Sequence, residues 1–119
     1  MTQEEKKLLL IDLCARLPYK VKGIYARTDV KNLSICEITT HIYGEMEESF
    51  NGKEKYEFIP YLRPMSSMTD EEKGISEQIY KDSGFWAHFD WLNANHFDYR
   101  GLIPMGLALE APEDMYKEE

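Results

Sequence analysis

Apolar positions in the first 17 residues recur with a helical period. Leu10, Leu13, Cys14 and Leu17 fall on one stripe, and Leu9 widens it. Thr2 followed three positions later by Glu5 is a capping box, so the pattern predicts a helix over 3–17. Pro18 closes it, because the residue before a proline avoids helical geometry.

The period then changes. Residues 19–27, YKVKGIYAR, set Tyr19, Val21 and Gly23 against lysines and shift phase near Gly23, where a glycine suggests a bulge. TDVKN, 28–32, reads as a turn. LSICEITTHIYG, 33–44, is rich in β-branched residues and reads as strand. A polar loop follows, with Asn51-Gly52 as a hairpin-type turn. YEFIPYLRP, 56–64, is a further strand. Pro60 cannot donate a ladder bond, which puts this strand at an edge or ends it. Strand is therefore expected to dominate 20–43.

The second half returns to helix. Thr69 and Glu72 form another capping box, and Asp70, Glu71 and Glu72 occupy the first turn, where the helix dipole favours anions. Ile75 and Ile79 give this helix, 70–82, a thin apolar face, and Gly84 is a natural stop. Phe85, Phe89, Leu92 and His96 keep helical spacing and predict a short third helix. Asp98 is placed to cap one more turn, with Phe97 and Leu102 as a hydrophobic staple and Pro104 and Gly106 as the stop. GLALEAP, 106–112, reads as a last short strand, and the tail from about 113 is expected to fray. The fold class that follows is α+β: an N-terminal helix packed on a small, mainly antiparallel sheet of three to four strands, followed by short helices.

The 119 residues fit one domain, 1–119, which buries roughly two thirds of the surface its unfolded chain exposes. A hydrophobic content of 43% is globular and not that of a disordered chain. The net charge of −8 repels phosphate backbones and disfavours nucleic acid as a partner. The densest basic segment, with Lys20, Lys22, Arg27 and Lys31, is spread through strand and turn. Glu45, Glu47 and Glu48 and the Asp70–Glu72 run are the acidic clusters. They read as a solvated loop and a helix start, with mimicry of DNA as an alternative. The apolar run Leu8–Ile11 is too short and too charged for a signal peptide or a membrane span, so no membrane partner is expected. Cys14 and Cys36 lack a CxxC spacing. Both are expected in the core as unpaired thiols of a cytoplasmic protein.

LLLIDLCARLPY, YLRPMSSMT and HFDYRGLIPMGLALEAP resemble segments of a group of small uncharacterised proteins of gut-bacterial genomes, prophages and mobile elements. The resemblance covers about half the chain, at both ends. The group has no assigned activity, cofactor or catalytic residue, so the resemblance implies a setting and transfers no mechanism.

The most chemical-looking stretch is WAHFDWLNANHFDYRG, where His-Phe-Asp occurs twice. His88, Asp90, His96 and Asp98 are residue types that suit zinc or iron, or acid–base work in a hydrolase or small-ligand binder. On one helix, however, residues eight apart diverge by roughly 80°, and residues two apart by about 200°. That geometry does not converge on one ion. The expectation is no metal, no cofactor and no catalytic residue, with the histidines bordering an aromatic core. The eight tyrosines are the more informative excess, since Tyr, Trp and Arg are favoured where proteins meet. Tyr99 with Arg100, and Tyr61 with Arg63, are the candidate contact residues for a protein partner. The functional expectation is a non-enzymatic accessory or interaction protein, encoded by a mobile element or prophage and binding a host protein.

Overall fold

The computed structural model describes residues 2–27, 32–48 and 56–116. It is α+β, a four-stranded mixed sheet with helices before, within and after it. Helix α1 spans Gln3–Arg16 and opens with the expected capping box. Thr2 Oγ1 accepts the Glu5 N–H at 3.1 Å, and the Glu5 carboxylate accepts the Thr2 N–H at 2.9 Å. The chain continues through a 3-10 turn, Leu17–Tyr19, which admits Pro18 because a proline at a helix start gives up no needed donor.

The buried face of α1 is Leu9, Asp12, Leu13 and Arg16. These four keep the spacing of a helical stripe, but two of them are charged. Cys14, expected in the core, is exposed. It lies five residues beyond Leu9, about 140° round the axis from it.

Strands β1 (Lys22–Arg27), β2 (Asn32–Glu37), β3 (Tyr56–Leu62) and β4 (Leu109–Glu110) form the sheet in the order β2-β1-β3-β4. The β1–β2 and β1–β3 pairs are antiparallel and the β3–β4 pair is parallel. Register runs unbroken from Lys22 opposite Glu37 to Arg27 opposite Asn32, so Gly23 makes no bulge. Its reason is steric. A Cβ at position 23 would stand 2.5 Å from Cζ of Phe58 and 2.6 Å from the Ile59 carbonyl oxygen. Pro60 faces Gly23 across the β1–β3 ladder, and β4 pairs with β3 only at Tyr61 and Leu62, beyond the proline. The most part of the predicted 28–32 turn and the Asn51-Gly52 turn lie outside the described residues.

The strand predicted over 33–44 ends at Glu37, and α2 (Thr40–Glu48) takes over. Thr39 Oγ1 accepts the Ile42 N–H at 3.1 Å and starts the helix. Ile42, Tyr43 and Met46 then turn inward at helical spacing, so packing overrides the β-branched composition. One buried cluster gathers Leu9 and Leu13 of α1, Met46 of α2, Phe58 and Leu62 of β3, and Leu102 and Leu107 from the C-terminal turns. Among the described residues no helix is long and apolar enough to cross a membrane.

Helix α3 spans Asp70–Ala94 and is broken at Gly84, whose φ of 83° and ψ of −168° are open to glycine alone. The expected stop at Gly84 is thus an elbow between two helical arms, 70–83 and 85–94. Beyond α3 the chain passes through His96, at φ 63°, into a run of turns. Asp98 organises them, accepting the Leu102 N–H at 2.8 Å and the Ile103 N–H at 2.9 Å. Phe97 and Leu102, the predicted staple, are both fully buried.

Candidate functional site: an aromatic ladder closed by arginines

The second arm of α3 carries Phe85, Trp86 and Phe89. Phe85 stands edge-to-face with Trp86 at 5.8 Å between centroids, and with Phe89 at 4.6 Å. Phe89 meets Tyr99 at 5.0 Å. Beyond Tyr99 come two guanidinium groups, Arg100 at 5.0 Å and Arg16 at 5.4 Å from the ring centroid. Four rings therefore lead from the protein surface to a buried ion cluster. Their outer end is open: Trp86 is 80% exposed and Phe85 54%.

The inner end is closed by charge. Arg16 donates to both oxygens of Asp12, from Nε at 2.8 Å and from Nη2 at 3.1 Å, and both side chains are fully buried. Nη2 also donates to the Phe97 carbonyl at 2.6 Å. Arg100 Nε donates to Asp12 Oδ1 at 3.1 Å. The Tyr99 hydroxyl donates to Asn93 Oδ1 at 3.0 Å and accepts from Arg100 Nη2 at 3.2 Å. Tyr99 and Arg100 are therefore half-buried parts of this network, joined to Phe89 on one side and to Asp12 on the other.

Tyr61 and Arg63 lie elsewhere, at the end of β3. The Tyr61 carbonyl accepts the Tyr116 hydroxyl at 2.7 Å. Arg63 holds Glu72 with two bonds, of 2.8 and 2.7 Å, and its guanidinium stacks 4.2 Å from the Phe97 centroid. Glu72 also serves as the capping-box acid of α3, so one carboxylate ties the strand to the helix. The Arg63 hydrogen bonds hold the Glu72 carboxyl down at about 2. An open cleft of about 640 Å³ borders this pair, with Glu110, Glu113 and Tyr116 on its other walls.

The His-Phe-Asp residues do not converge. His88 Nε2 is 2.6 Å from Ser76 Oγ and its ring meets Tyr80 edge-on, which braces one arm of α3 against the other. Asp90 is exposed on the second arm. His96 stacks on Tyr116 at 3.8 Å, and burial together with the nearby Arg16, Arg63 and Lys22 pushes it down to about 4. Asp98 is consumed by its two backbone donors. No group of three His, Cys, Asp or Glu side chains that could hold a metal ion occurs among the described residues. Cys14 and Cys36 are free thiols.

Tyr116, past the point where the tail is expected to fray, is anchored. Its hydroxyl accepts the Lys22 N–H at 2.9 Å while donating to Tyr61, and burial raises it to about 12. The Asp12–Arg16 pair, Glu72's second role and the exposed Phe85–Trp86 surface lie outside what the sequence pattern predicts. The i,i+4 spacing of Asp12 and Arg16 on an apolar stripe is the signal that exposes the first of these. No protein-family model, curated protein or solved structure matches the chain.

Proposed function

We propose that the chain is a non-enzymatic interaction protein that docks a host protein on the aromatic ladder of α3, centred on Trp86 and Phe85. One observation carries the reading: the outermost ring of a braced four-ring stack is a tryptophan that is 80% exposed. A monomer gains little from leaving such a side chain in water, whereas Trp, Tyr and Arg at the centre of a patch are the residues that dominate binding energy. The elbow at Gly84 and the Ser76–His88 bond hold the patch in a fixed shape, which lowers the ordering cost on association. Tyr99 and Arg100 support the rings from behind. They position the surface and are not its outermost contacts.

The test is a photo-crosslinking amino acid placed at position 86, compared with one at Ile35, an exposed site on β2. In the host cell, position 86 is expected to give a discrete protein adduct that Ile35 does not give and that Phe85→Ser removes. Equal labelling from both positions, or none from position 86 in folded protein, overturns the reading.

A further inference from the structure

We infer that the docking surface around Trp86 selects a cationic partner, a basic peptide or protein segment that presents an arginine or lysine to the open indole. The inference rests on the interaction reading above and adds the chemistry of the occupant. The ladder itself supplies the first argument. Its inner ring, Tyr99, is capped by two guanidinium groups, Arg16 and Arg100. Its outer ring, Trp86, is the side chain with the strongest ring quadrupole, and most of it faces solvent. The same kind of receptor is therefore filled by cations at one end and open at the other.

Charge supplies the second argument. Asp90 follows Trp86 by four residues on the same helical arm, so the two side chains neighbour each other on one face. Asp90 is exposed and has no ion-pair partner among the described residues. An arginine stacked on the indole would reach this carboxylate. Glu71, Glu77 and Asp82 on the first arm are exposed too, and the whole chain carries −8. That field steers basic surfaces inward and repels a second copy of this chain.

The experiment follows the indole N–H resonance of Trp86 by NMR, distinguished from that of Trp91 with Trp91→Phe. The probes are three short amidated peptides of alternating glycine with arginine, glutamate or leucine. The arginine peptide is expected to shift the Trp86 resonance saturably and more weakly as salt rises. Asp90→Asn, an exposed change, should weaken it by about threefold. The proposal is overturned if the glutamate or leucine peptide binds as well, if Asp90→Asn changes nothing, or if the resonance does not move. A shift on concentrating the protein alone assigns the face to a second copy and also overturns it. If position 86 crosslinks to a protein while the arginine peptide fails, the interaction reading stands and the cationic partner falls.

Discussion

Arg16 and Phe97 are 81 residues apart in the chain, yet Arg16 Nη2 donates to the Phe97 carbonyl at 2.6 Å. The contact ties the first helix to the turn after the last one, and it depends on Asp12 holding the guanidinium in the interior. Removing one partner of a buried pair strands the other charge. Asp12→Ala should therefore cost about 3–5 kcal/mol in urea unfolding. Asp12→Leu combined with Arg16→Met should cost less than the single change, because no fully buried charge is left bare: Arg100, which also loses Asp12, is partly open to water. A loss below about 1 kcal/mol for Asp12→Ala would mean that water reaches the pair.

Gly23 gives a second test. The Phe58 ring and the Ile59 carbonyl occupy the space a Cβ would take. Gly23→Ala should lower stability by about 1–3 kcal/mol through overpacking, although alanine ordinarily suits a strand better than glycine. Phe58→Leu in the same chain should recover part of that loss, read as a non-additive double-mutant cycle in thermal melts.

Sequence legibility divides along the same line between local and distant causes. Both capping boxes, the break at Gly84 and the Asp98 anchor follow from residues within a few positions of each other, and all are present. Asp98 reaches four and five residues ahead to Leu102 and Ile103, further than a helix cap does, because the segment folds as turns and not as a helical turn. What composition concealed depends on distant packing. Residues 40–44 look like strand until Met46 is known to enter the core beneath α1 and β3. Gly23 looks like a bulge until Phe58 is placed over it. At the candidate site, Tyr99 and Arg100 were legible as an aromatic beside an arginine, but their engagement with Phe89 and Asp12 was not. Trp86 stands beside Phe85 in the predicted third helix, and nothing local in the sequence marks the pair as facing outward.

Asp98→Ala removes the acceptor for two backbone donors, one of them buried. It should lower stability by about 1–3 kcal/mol. Asp98→Asn, which keeps one acceptor oxygen, should lose less. Equal losses in urea unfolding would show that the charge and not the geometry matters.

Acid should act in two windows. His96 is held neutral, with its folded value near 4 against 6.5 for the free side chain. The unfolded chain takes up that proton first, so the His96 contribution is intact above 6.5, is lost as pH drops from 6.5 to 4, and changes no further below 4. The loss is on the order of 3 kcal/mol. Glu72 works from the other side, with a folded value near 2 against 4.5. Its contribution is intact above 4.5 and is lost between 4.5 and 2. His96→Asn keeps a residue that tolerates positive φ. It should abolish the slope between pH 6.5 and 4.5 in unfolding measurements and leave the lower window in place. A slope that persists would transfer the effect to another group.

Gly84 sets the direction in which the proposed docking surface points. Its backbone, at φ 83° and ψ −168°, lies in a region that costs any other residue about 1–3 kcal/mol. Nothing crowds a Cβ there, so the penalty is conformational and not steric contact with neighbours. Gly84→Ala thus faces two outcomes. The elbow persists under strain, or α3 straightens into one continuous helix, which alanine favours over glycine. Straightening separates Ser76 from His88 and draws Phe89 away from Tyr99, so it forfeits the 2.6 Å bond and the ring contact. Loss of the Ser76–His88 bond alone, as in Ser76→Ala, should cost about 1 kcal/mol and leave the elbow bent. The two variants separate strain from shape. Gly84→Ala is expected to lower the melting temperature more than Ser76→Ala does, and also to abolish crosslinking from position 86, while Ser76→Ala preserves it. If Gly84→Ala crosslinks as well as the parent, the fixed angle between the arms has no part in presenting Trp86.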